Sequence, residues 1–204
     1  MSSRRYAELL VARAEDIDRE IAVLRRKKED ISAWIGEVQE AVDAPQRRCM
    51  LREYPEMRGY IFRSRIENRS QHELAMREME AVYGNGPHLG RVRRIIARED
   101  ILRRDYLTYS GFFIPASSVS RSDSAPVVVP AQTYAVVFAA SLHESCAGDW
   151  ELLLDFIDKN RLEIRGDAFR SIPVEMGISR RADDYKAKIA IPVIHRETAV
   201  EMTK

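Results

Sequence analysis

Apolar positions step by four and three from the start of the chain: Leu10, Ala14, Ile17, Ile21, Leu24, then Lys28, then Ile31, Ile35, Val38 and Val42. This is a heptad seam broken once by Lys28, narrow and flanked by charge, as in a helix that meets another helix rather than a broad core. The stretch contains only Gly36, and its first proline is Pro45. The spacing predicts one helix from about Arg5 to Val42, roughly 55 Å long at 1.5 Å per residue. Such a helix is too long to be covered by its own domain. Residues 1–44 are therefore read as a dimerisation helix, with Leu10, Ala14, Ile17, Ile21, Leu24, Lys28, Ile31 and Ile35 as its contact positions, and residues 45–204 as a folded domain.

Charge suggests how two such helices pair. Asp18 and Glu20 flank the first half of the seam, and Arg25 and Lys27 the second. A parallel pair would set like charges together and Lys28 against its copy. An antiparallel homodimer with Ile21 facing Leu24 brings Asp18 towards Arg25 and Glu20 towards Lys27, and Arg13 nears Trp34, where a cation–π contact is expected.

After "DAPQRR" the pattern changes to strand, strand, helix, strand, strand, and then repeats. "CMLREYP" and "RGYIFRSRI" alternate as strands, "SQHELAMREMEAVYGNG" has helical spacing with a Gly/Asn stop, and "LGRVRRIIA" and "DYLTYSGFFIP" are strands. "ASSVSRSDSAP" is read as a solvated linker. "PVVVP" and "TYAVVFAAS", the helix "GDWELLLDFIDKNR", and the strands "IRGDAFRSIPVEM" and "YKAKIAIPVI" complete the second unit. Pro55 to Tyr60 answers Pro130 to Tyr134, which points to an internal duplication. Two such units with helices on one sheet face make an α+β domain whose other face is open to a ligand.

At 204 residues, with 45% hydrophobic and 32% charged, the chain has room for one cored domain and an extended appendage. Lys and Arg (33) balance Asp and Glu (32), so no basic field exists to hold nucleic acid. No stretch reads as a signal peptide or a membrane span, and Cys49 and Cys146 do not make a disulfide framework; the cytoplasm is expected. No metal or cofactor is implied. "GNGPHLG" follows a helix and reads as a stop and turn, not a phosphate loop. His143, Glu144 and Cys146 are too few for a metal or thiol site. In "RVRRII" Arg91 and Arg93 share a face, either solvent-exposed or contacting an anion. Tyr60, Phe62, Tyr106, Tyr109, Phe112, Phe113, Tyr134, Phe138, Phe169 and Tyr185 lie on predicted strands, and about half of them must point away from the helices.

"HLGRVRRIIAREDILRRDYLTYSGFFIP", "VPAQTYAVVFAASLHESCAGDWELLLDFIDKNRLEIRGDAF" and "DDYKAKIAIPV" together resemble the effector-binding domain of MerR-type multidrug-responsive regulators, the GyrI-like fold of duplicated SHS2 units. The likeness lies in the order of the "LGRV" strand, the "TYAVV" strand, the glycine before the penultimate strand and the "IPV" close. It implies a long N-terminal coiled-coil helix followed by a duplicated strand-helix-strand-strand domain. It also implies a small-molecule effector, transcription regulation, and a homodimer whose helices pair antiparallel. The family's winged-helix head has no counterpart before this helix, so DNA is expected only through that missing head. The resemblance further places a ligand pocket at Phe62, Tyr109, Phe113, Phe138, Arg170 and Tyr185, the last similar to a pocket-wall tyrosine of the family. Four residues after Gly166, where many members carry a pocket Glu, this chain has Arg170. A guanidinium there implies a neutral or anionic aromatic ligand, unless it is held by Glu175 or Asp167 or reaches solvent. Similar stand-alone domains include small-molecule hydrolases and gyrase-interacting proteins; for an enzyme, Glu175 or Glu144 would have to replace the missing acid. A dimerising regulator without a ligand is the third reading.

Overall fold

The computed structural model describes residues 3–84, 91–119, 122–139, 146–173 and 186–196. Helix α1 runs Ser3–Asp43, two residues beyond the expected start and one beyond the expected end. Described side chains of residues 5–29 are exposed. From Asp30 onward a second stripe turns inward on the same helix: Asp30, Trp34, Glu37 and Ala41, with Ala41 fully buried and Ala44, just past the helix end, buried as well. It lies about 100° round the helix from the seam, as a one-residue offset requires. The last third of α1 thus docks on its own domain while the seam stays uncovered. Trp34 belongs to the docked stripe, its indole N–H donating to the Pro173 carbonyl at 3.3 Å. Lys186 Nζ closes the helix by donating to the carbonyls of Val42 and Ala44, both at 2.9 Å, where the helix leaves acceptors without partners.

Among the described residues nine strands follow: β1 Met50–Tyr54, β2 Met57–Ile66, β3 Arg93–Ile96, β4 Tyr109–Pro115, β5 Val127–Val129, β6 Gln132–Ala139, β7 Leu162–Ile164, β8 Ala168–Ser171 and β9 Ala187–His195. Helices α2 Arg69–Tyr83, α3 Arg98–Leu102 and α4 Ala147–Lys159 lie among them. The sheet order is β1-β6-β9-β8-β3-β4-β2-β5, with β7 on β9 beyond β8, and each pairing is antiparallel.

The duplication is visible in this order. Each unit inserts its last strand between its first and middle strands, giving β2-β4-β3 and β6-β9-β8, and the two middle strands meet with Arg94 opposite Arg170 and Ile95 opposite Phe169. Only Pro55 and Glu56 separate β1 from β2, yet these strands lie towards opposite ends of the order; Pro130 and Ala131 separate β5 from β6 in the same way. The sheet must curl until its ends approach. Met50 and Tyr54 of β1 and Met57 of β2 accordingly pack in one cluster on the inner face. Proline suits both corners because neither ladder needs its missing N–H there.

The outer, convex face carries the main core. Ala75, Met79 and Tyr83 of α2 and Trp150, Leu153 and Ile157 of α4 pack on Phe112, Ile114, Ala135, Val137, Ile189 and Ile191. Trp150 stacks on Tyr106 at 5.1 Å. Asn68 caps α2, its side chain accepting from the Gln71 N–H at 3.0 Å while Gln71 Oε1 accepts from Glu67 N–H, and Gly84 ends the helix at φ 89°. That glycine is the stop expected from "GNGPHLG"; the rest of the motif lies outside the described residues.

Three local readings are corrected. The expected single strand over "IRGDAFRSIPVEM" is two strands, because Arg165 to Asp167 bulge out and shift the register against β9 by two residues. A short helix, α3, stands between β3 and β4, and Asp167 Oδ1 accepts the Arg98 backbone N–H at its start. The first turn of the supposed solvated linker, Ala116–Ser118, is a 3-10 turn whose serines reach Asp30.

Candidate functional site

The inner face of the curled sheet is lined with aromatics and roofed by α1. Tyr134, Phe138 and Phe169 project from β6 and β8, Phe113 from β4 and Tyr54 from β1. Ring centroids lie 5.6 Å apart for Tyr54 and Tyr134, 6.4 Å for Tyr134 and Phe169, and 5.6 Å for Phe169 and Phe113. Glycine at position 59 makes room for this: a Cβ there would fall 2.5 Å from the Phe113 ring.

Two cations stand among the rings. Arg93, on β3, has its guanidinium carbon 5.8 Å from the Phe113 centroid. Lys188, on β9, has Nζ 4.2 Å from the Tyr54 centroid and 5.8 Å from Phe138. Both are largely removed from water, and α1 supplies their counter-charges. Arg93 donates to Glu37 at 2.9 Å, and Lys188 to Glu40 at 2.6 Å. Tyr54 O–H also donates to Glu40 at 2.6 Å, and Arg52 stands 4.0 Å away. About two turns nearer the start of the helix than Glu37, Arg91 pairs with Asp30, which also accepts from Ser118 at 3.3 Å. Arg91 and Arg93 thus share a face, as their alternation predicted, and the anions they meet belong to the same chain. The space left between roof and floor, bounded by Glu37, Tyr54, Arg93, Tyr134, Phe169 and Lys188, is about 30 Å³.

Burial pulls the Glu40 carboxyl upward, but Lys188, by charge and hydrogen bond, with help from Tyr54 and Arg52, brings it below its ordinary value. Burial lowers Lys188, with Glu40 opposing. Burial and the hydrogen bond to Glu40 push the Tyr54 phenol up. Desolvation and Arg93 bring Arg91 down to about 10, which leaves it a cation at neutral pH.

The ligand-site residues expected from the sequence fall on both sides of the sheet. Phe113 and Phe138 are on the inner face. Phe62 and Tyr109 are on the outer face, Phe62 beside Phe112 across the ladder. Arg170 is also on the outer face, 1% exposed, donating to the Tyr109 oxygen at 3.1 Å and approaching Cys146 Sγ at 3.8 Å. It neither reaches solvent nor lines the inner face, where the neighbouring positions Phe169 and Ser171 point instead. Arg94 donates to the same phenol at 3.2 Å. Tyr185, Glu175, His143 and Glu144 lie outside the described residues. Of the seam, Leu10, Ile17, Ile21, Leu24, Ile31 and Ile35 are all exposed apolar side chains, and Ala14 and Lys28 are exposed between them.

Tyr54, Lys188, Glu37 and Glu40 were not singled out from the sequence. Lys188 left a usable signal: a lysine inside the apolar run "AKIAIPVI" must find a partner once the strand is buried. The Cys49 thiol, raised to about 11 by burial and Asp149, stays protonated at neutral pH. Among the described residues no group of three His, Cys, Asp or Glu is placed to hold a metal, and no helix is long and apolar enough to cross a membrane.

No family model matches the chain, and no curated protein does. Solved structures do. The C-terminal domain of EcmrR superposes with a TM-score of 0.51 at 12% identity, covering 72% of this chain and 98% of that one. EcmrR in a complex with DNA superposes with a TM-score of 0.50 at 14% identity, covering 92% of this chain and 72% of that one; a match this wide takes in part of α1. A hydrolase from Listeria innocua reaches 0.45 at 12% identity over 74% of this chain and 94% of that one, a likeness too distant to inform this chain's activity. The fold is a long helix followed by the duplicated GyrI-like domain that the sequence resembles.

Proposed function

We propose that this chain is the effector-sensing and dimerising part of a MerR-type transcriptional regulator, acting without catalysis. It takes a neutral or anionic aromatic ligand on the inner face of the sheet. The observation that carries the reading is a single helix doing two jobs: its last third roofs an aromatic, cation-bearing cavity, and its remaining length presents an uncovered heptad seam. A ligand that alters the roof would alter the angle at which the seam leaves the domain, and a two-helix dimer would carry that change to an attached DNA-binding head. Phe113 and Phe138 belong to the proposed ligand site, with Tyr54, Tyr134 and Phe169 beside them. Phe62, Tyr109 and Arg170 support the sheet from behind.

The ligand charge follows from Arg93 and Lys188 rather than from Arg170. These cations are rooted in the sheet, whereas the opposing carboxylates ride on the helix. The test is a thermal-shift series with 3-phenylpropanoate, its amide and 3-phenylpropylamine, run with sedimentation velocity on the same protein. The reading expects a dimer that is stabilised by the acid or the amide. A monomer at all concentrations, or a dimer stabilised by none of the three, would defeat it.

A further inference from the structure

We infer that Arg93 and Lys188 form a subsite for the carboxylate of a small aromatic acid, and that Glu37 and Glu40 of α1 occupy this subsite when no ligand is bound. The inference rests on the sensor reading above and names its ligand class and the contact the ligand displaces.

Three observations converge. First, the two cations come from different strands, β3 and β9, each within 6 Å of an aromatic ring, which is the arrangement that holds a carboxylate attached to an aromatic body. Second, both already hold carboxylates, at 2.9 Å and 2.6 Å, presented side by side from helix positions three apart. Third, about 30 Å³ remains beneath the roof, enough for a water and too little for a ring. An aromatic acid cannot be added to the filled site; it has to replace a glutamate. The exchange keeps Arg93 and Lys188 paired while Glu37 or Glu40 moves into water. An aromatic ammonium entering the same space would leave a buried cation uncompensated, which is costly. Ligand binding and full docking of the last third of α1 are therefore mutually exclusive, and the competition itself couples the cavity to the helix.

The prediction is counter-intuitive for residues that line a site: removing them should improve binding. Glu37→Gln with Glu40→Gln keeps the side-chain shape but removes the internal competitor, and affinity for 3-phenylpropanoate should rise about tenfold, with that for the amide changed far less. Arg93→Gln should abolish the gain. Calorimetric titration of the intact chain reads the affinities, and Trp34, on the docked stripe, reports undocking by a red shift of its emission when the acid binds. Should the double variant bind the acid no better than wild type, or gain equally for 3-phenylpropylamine, the competition is wrong and the sensor reading survives on any compound that wild type binds. If no compound binds any variant, both fall together. Circular dichroism of each variant separates these results from loss of fold.

Discussion

Ile21→Asp tests the seam. Leu10, Ile17, Ile21, Leu24, Ile31 and Ile35 remain between 39% and 57% exposed on the single chain. Fully burying such a side chain is worth about 1.5–3 kcal/mol, so covering the remaining half yields roughly 1 kcal/mol each, or about 12 kcal/mol over the two helices of a dimer. Against an association cost of about 4–15 kcal/mol, the seam is sufficient for a dimer but has little in reserve. In an antiparallel pair with Ile21 facing Leu24, Ile21→Asp acts twice. It removes about 2 kcal/mol of burial and places two carboxylates in an apolar seam at about 1–3 kcal/mol each. A loss of about 4 kcal/mol or more weakens Kd about a thousandfold. Sedimentation equilibrium over a concentration series reads it directly. Arg19→Ala, on the opposite side of the helix, serves as the control and should leave Kd unchanged. An Ile21→Asp chain that dimerises like wild type while remaining folded would refute the seam.

Orientation is checked by oxidising a mixture of Ile21→Cys and Leu24→Cys chains, with Cys49 replaced by Ser: the antiparallel pair cross-links the two different chains, and a predominance of Ile21→Cys homodimers would reverse the charge argument. For pH, Glu40 titrates below its ordinary value in the folded protein, so its contribution to stability is complete above about 4.5 and is lost as pH falls through the depressed native value. Glu40→Gln should remove that part of the acid limb in urea melts taken between neutral pH and pH 3, and an unchanged limb would place its origin elsewhere. Gly111→Ala meets the Phe62 carbonyl oxygen at 2.1 Å from a backbone at φ +144°, and should cost about 2 kcal/mol or more in chemical denaturation. Arg170→Met should lower stability by about 1–3 kcal/mol through loss of its hydrogen bond to Tyr109 without changing the preference among the three phenylpropyl compounds, because it stands behind the sheet. A change in that preference would return Arg170 to the ligand site.

What was legible in the sequence followed periodicity, and what was missed turned on what each face meets. The heptads of α1 and the alternating strands were readable because one face of each meets a different environment over many residues. The side of Arg170 was not: Ile164, Ala168 and Arg170 keep the period of two across the Arg165–Asp167 bulge, whose two-residue shift leaves the faces unchanged, but alternation alone does not say which face the helices cover. The second stripe on α1 was hidden for another reason. Asp30, Glu37 and Glu40 were not singled out because a buried carboxylate looks like an exposed one until its cation is known, and Arg91, Arg93 and Lys188 lie far along the chain. Arg91 and Arg93 were seen to share a face, but their partner required the fold.

The crossed corners at Pro55 and Pro130 mean that each half of the domain lends its leading strand to the other: β1 edges β6, and β5 edges β2. Neither half can bury its outer edge alone. Unfolding should therefore be a single cooperative event across both halves, and two fragments cut within the linker 122–126 should regain structure only when mixed, each completing the other's sheet as exchanged protomers do.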